Sequence, residues 1–405
     1  MATRGQLLWG EQARVERAGY PAGSLGFTWA AIGLAGWLLG GVYLDGWAHI
    51  HVPDLETFFT PWHAILYSGF FALFALLTLT AGRNRGRGYA WRRVLPPGYG
   101  LSLAGGFIFL VGGVLDLIWH QLFGIEANTE ALLSPTHLIL ATGIALLVTG
   151  PVRSAGPLAN DLARSGMFAG PSIWVRRLPA LLGLTFLLAL CAFFTQFAHP
   201  LANPRAAADS FSQPPTEPLS TMRAAGAEQT RLILDSGAST FRPIAFTQVT
   251  RSGESGGETV DLGLASILLQ AALLIGVTLF ALRRWPLPFG TLTLVFGFSG
   301  ILMAVLRDHE QFIPAAVLAG LFADLLLRWL HPTADRPGAL RLFAFAAPLV
   351  YESLYFATLA LTSGIAWSIH LWAGAAVMAG AVGVLLSTLL IPPESAQHLV
   401  SASTG

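Results

Sequence analysis

Apolar runs of about 20 residues recur along this chain, each long enough to cross roughly 30 Å of hydrocarbon as a helix. No other feature restricts the fold as much, because a segment in lipid must satisfy its backbone donors and acceptors internally. Ten spans are predicted, at roughly 25–49, 62–82, 99–122, 136–151, 178–198, 261–282, 286–306, 311–330, 342–363 and 366–391. Of the 405 residues, 54% are hydrophobic and only 11% charged, well under the roughly 25% charged of a water-soluble domain. The expected class is an all-α polytopic membrane protein with about ten transmembrane helices, the lipid bilayer being its first partner. A net charge of +1 gives no reason to expect nucleic acid.

Arginine distribution orients the spans. All 23 basic side chains are Arg, so the tendency of basic loops to stay in the cytoplasm is read from arginine alone. Arg83, Arg85, Arg87, Arg92 and Arg93 follow span two, and Arg153, Arg164, Arg176 and Arg177 follow span four. Arg283 and Arg284 follow span six, and Arg328, Arg336 and Arg341 lie around the end of span eight. The alternation predicts both termini in the cytoplasm of a bacterial-type cell, with the protein in its inner membrane. It divides the chain into a cytoplasmic segment at 1–24, a five-span half at 25–198, an extracytoplasmic loop at 199–260, a second five-span half at 261–391 and a cytoplasmic tail at 392–405. The first apolar run is longer than a signal-peptide core, so no cleaved signal is expected. The single cysteine, Cys191, lies inside an apolar run, which excludes an intrachain disulfide and a cysteine metal cage.

Two polar patterns interrupt the apolar background. Asp45-Gly-Trp-Ala-His49 closes the first span, and Pro61-Trp-His63 opens the second. Asp116-Leu-Ile-Trp-His120 closes the third, and Pro135-Thr-His137 opens the fourth. Asp45 to Asp116 and His49 to His120 are both 71 residues apart, so spans one–two and three–four read as duplicated helical hairpins. Residues four apart share a helix face, and proline suits the first turn of a helix. Each Asp/His pair can therefore meet the histidine of the next helix near the outer surface. Imidazole with carboxylate suits Zn, Cu, Fe or Ni, whereas Mg and Ca prefer oxygen ligands. Three protein ligands leave a coordination position for water, dioxygen or substrate.

Other groups compete for roles. Glu126 and Glu130, in the connector of the second copy, could complete a site or bridge ions; Asp54 and Glu56 occupy the first connector. His51 could hold an alternative ion but suits an interfacial role. Asp308-His309-Glu310 reads as a solvated outward turn. Glu352 lies within a span, where a carboxylate needs a partner or a proton, and could serve as a proton relay. His370 opens the last span near the outer side. Asp324 and Arg328 are expected to pair, and Trp47, Trp62, Trp119, Trp367 and Trp372 to sit in the interfacial aromatic belt.

Over roughly residues 30–150, these motifs resemble the C subunit of the copper membrane monooxygenases, the particulate methane and ammonia monooxygenases. The resemblance rests on Asp116-x-x-Trp-His120-Gln with Ser134-Pro-Thr-His137, and on Asp45-x-x-x-His49 with Thr60-Pro-Trp-His63. It implies copper, as one or two ions, held by Asp45, His49 and His63 and by Asp116, His120 and His137. Asp116 stands where the family has Asn, and the added carboxylate moves the preference towards iron or zinc. Partner subunits are implied as well, with a homo-oligomer as the other assembly.

The expected function is a copper-dependent, monooxygenase-like oxidoreductase acting on a small apolar substrate. The alternatives are metal storage, delivery or transport, and a zinc-dependent membrane hydrolase. Haem ligation fits less well, because haem needs no carboxylate one turn before each histidine.

Overall fold

The computed structural model describes residues 17, 19–52, 60–123, 129, 132–156, 173–208 and 255–390. Glu126, Glu130, Asp54, Glu56, most of the 199–260 loop and the tail lie outside the described residues. Regular structure among the described residues is helical. The long helices are α1 (Leu25–His51), α2 (Pro61–Gly86), α3 (Gly100–Phe123), α4 (Pro135–Val148), α5 (Ile173–Phe194), α6 (Ser255–Arg284), α7 (Thr291–Leu306), α8 (Ile313–Leu330), α9 (Pro337–Leu361) and α10 (Ile369–Leu390).

Among the described residues, nine apolar segments are long enough to span a membrane; α4 reaches that length by continuing to Gly156. The remaining helix, α7, has 16 residues, about 24 Å at 1.5 Å per residue. Its start lies later than hydropathy suggested, because Pro286 and Pro288 occupy the approach and Gly290 takes a left-handed φ of 92°. Proline's missing N–H and fixed φ delay helix entry.

Sequential hairpins α1–α2, α3–α4, α7–α8 and α9–α10 form the bundle. Helix α5 lies against α1, α4, α6 and α7, and one continuous apolar core runs through both halves. Two of the hairpins are duplicated down to their contact glycines. A β-carbon on Gly41 would stand 2.5 Å from the Leu66 backbone, and one on Gly69 would stand 2.7 Å from that of Leu38. The equivalent Gly112 faces Leu140, and Gly143 faces the Phe109 backbone at 2.8 Å. Small residues let membrane helices approach this closely, which brings the Asp/His-bearing ends of each hairpin together.

Two sequence expectations need correction. Asp324 does not pair with Arg328. Its carboxylate accepts the N–H groups of Leu292 (3.0 Å) and Thr293 (2.8 Å) and the Thr293 hydroxyl (2.7 Å). It caps α7 from the neighbouring helix, because Gly290 offers no side chain to the first-turn donors. Trp367 is buried rather than interfacial; it packs near Phe356 and covers Gly263, where a β-carbon would strike its ring.

Candidate metal centre

Each triad is built by the end of one helix and the start of the next. Asp45 and His49 lie in the last turns of α1, and Thr60 caps α2 by accepting the backbone N–H of His63 at 3.1 Å. Asp116 and His120 lie near the end of α3, and Ser134 caps α4 by accepting the N–H of His137 at 3.3 Å. The Ser/Thr-Pro-x-His order thus supplies an N-cap hydroxyl, a proline at N1 and a histidine at N3.

The cap hydroxyls have a second use. Thr60 Oγ1 stands 3.2 Å from His63 Nδ1, and Ser134 Oγ stands 2.8 Å from His137 Nδ1. With Nδ1–H donating to the hydroxyl, the lone pair is on Nε2, the nitrogen that faces the aspartate.

The ligand distances suit a shared ion. His49 Nε2 and His63 Nε2 stand 3.8 and 3.5 Å from Asp45 Oδ2. His120 Nε2 is 3.6 Å from Asp116 Oδ2, and His137 Nε2 is 3.6 Å from Asp116 Oδ1. Most of these are too long for good hydrogen bonds. Ligands about 2.0–2.2 Å from one tetrahedral ion would be separated by about 3.3–3.6 Å. In each triad the three ligand atoms lie within 4.8 Å of one another. Both groups could therefore hold a metal.

The two triads differ in how the carboxylate is held. Thr136 donates to Asp116 Oδ1 at 2.7 Å, and Ser134 Oγ lies 3.2 Å from Thr136 Oγ1. Protons directed from His137 to Ser134, Thr136 and Asp116 satisfy this chain in one sense. Trp62 replaces Thr136 in the first copy, and Asp45 Oδ1 is buried without a hydrogen-bond partner. A cation could supply a partner for such an oxygen.

The triads are also neighbours. Asp116 and His137 are close enough to act electrostatically on Asp45, and His120 and His137 on His49. Tyr67, one turn below His63, is within electrostatic reach of both aspartates and packs against Phe109. Sequence reasoning missed Thr60, Ser134, Thr136 and Tyr67. The Ser/Thr-Pro-x-His capping pattern was the available signal for the first two.

Other candidates lie apart from the triads. Both nitrogens of His51 face acceptors, the Trp47 carbonyl at 2.8 Å and Asp308 at 2.6 Å, so neither is left for an ion. His309 Nδ1 is 3.0 Å from the Leu201 carbonyl, and His370 is exposed. Glu352 is buried in the second half, in a cavity to which no triad residue contributes. No protein-family model, curated protein or solved structure matches the chain.

Proposed function

We propose that this chain is a membrane metalloprotein whose paired Asp/His/His sites hold transition-metal ions, copper first and iron or zinc as alternatives, for oxidation of a small apolar substrate. The observation that carries this reading is the convergence of two duplicated ligand sets at ion-sharing distances, one with an otherwise unpartnered buried carboxylate oxygen. A redox metal with an open coordination position would supply dioxygen activation. The protein's own groups support this: cap hydroxyls orient His63 and His137, Thr136 orients Asp116, and Tyr67 lies within electrostatic reach of both aspartates.

Helix α3 exposes Leu110, Val111, Val114, Leu115 and Ile118 on the face turned away from the buried Asp116, an apolar surface suited to lipid; the apolar substrate class rests on the resemblance of the ligand motifs. The arginine-rich connections support a bacterial-type inner membrane with the triads towards the periplasm. Partner subunits or a homo-oligomer would complete the assembly. The neighbouring, duplicated triads equally suit metal storage or delivery, which the same experiment separates.

Metal analysis of protein purified without chelator, with spectroscopy of the bound ion, tests the proposal. Copper or iron should be retained and fall in both His63→Ala and His120→Ala. Unchanged metal in both variants would refute the site assignment. Stoichiometric zinc without copper or iron would overturn the oxidoreductase reading in favour of hydrolysis. Bound copper without turnover of dioxygen would favour storage or delivery.

A further inference from the structure

A second polar centre lies in the other half of the molecule. Glu352, on α9, is 1% exposed, and its Oε2 has no hydrogen-bond partner. It lines a small, largely enclosed cavity with His199, Gln270, Ser299 and Tyr351, from α6, α7, α9 and the connector after α5, and apolar side chains complete the wall. The cavity volume is about 10 Å³, room for roughly one water.

The donors around it are constrained. The backbone N–H of Leu201 donates to His199 Nδ1 at 3.2 Å, which leaves the ring proton of neutral His199 on Nε2. Gln270 Nε2 is engaged by Thr195 Oγ1 at 3.0 Å and the Ala198 carbonyl at 3.3 Å. The titratable groups around the carboxyl are His199, Tyr351 and Tyr355, and no arginine lines the cavity. An ionised carboxylate without a cation would be costly at this depth.

We propose that this cavity is a proton-binding site, in which Glu352 is held as a neutral carboxylic acid and one water bridges it to His199. The water accepts from His199 Nε2–H and donates to the carboxyl oxygen. No oxidant, reductant or metal is required. The site is separate from the triads and stands whether or not they bind metal.

Infrared spectroscopy of the purified full-length protein at neutral pH tests this directly. A protonated-carboxyl stretch that shifts in D₂O should be present, should vanish in Glu352→Gln and should survive in His120→Ala. His199→Gln, which alters the donor, should move the band without removing it. A neutral-pH spectrum with only a carboxylate stretch from Glu352 would overturn the proposal. So would a protonated band unchanged by Glu352→Gln. Retained metal in Glu352→Gln is expected, which distinguishes failure here from failure of the triads.

Discussion

Thr136 shows how much a single hydroxyl can decide at the candidate centre. It donates to Asp116 Oδ1 at 2.7 Å, whereas Trp62 at the equivalent place leaves Asp45 Oδ1 unpartnered. Thr136→Val preserves shape but removes the donor that orients Asp116. Groups that orient ligands in this way typically contribute 10–100-fold to metal affinity. Competitive titration should therefore show the second triad weakened by about 10–100-fold, with the first unchanged. Equal affinity in the variant would show that Thr136 does not position the ligand. The grouping of the six residues into two candidate triads was legible from their spacing, because Asp-x-x-x-His fixes a helical face. The asymmetry was not, since it depends on which side chain crosses from α4 to α3.

At the level of elements, helix ends and crossings carry the organisation. Asp324 accepts two N–H groups and a hydroxyl at the start of α7, and its removal would leave buried donors unsatisfied. Asp324→Ala should destabilise the protein by about 2–3 kcal/mol; an unchanged unfolding midpoint would contradict the capping role. Hydropathy revealed the apolar helices but not this cap, because α7 and α8 are brought together only by packing. The duplication was likewise visible in the 71-residue spacing. Only the packed hairpins showed that Gly41/Gly112 and Gly69/Gly143 hold equivalent crossings. Asp324 and Arg328 lie four residues apart, which suggested a pair along one helix; the unsatisfied first turn of α7 competed for the carboxylate and won.

For the whole molecule, the connector after α5 ties the halves together at the triad end. Arg307 donates to Gln196 at 2.9 Å, and His309 contacts the Leu201 carbonyl. His199, in the same connector and outside the spans, is buried, and burial pushes its pKa down from the usual 6.5 to about 3. The unfolded chain binds a proton there that the native protein excludes. This contribution to stability is therefore intact above about pH 6.5 and declines as pH falls towards 3. At pH 5 the loss is about 2 kcal/mol. Thermal unfolding of chelator-treated protein should show a flatter acid dependence in His199→Gln than in wild type; parallel profiles would exclude this source.

The sequence by itself determined the helical membrane class, the approximate spans and the residues of both candidate triads. Those follow from local rules: the length of hydrocarbon to be crossed and the periodicity of a helix. Tertiary structure decided which oxygens and nitrogens meet, that the two triads are neighbours, and that Glu352 belongs to a separate cavity with His199. These depend on helix crossings and on connections between residues far apart in the chain. A distance between side chains on different helices is set by packing, and no spacing along one helix encodes it.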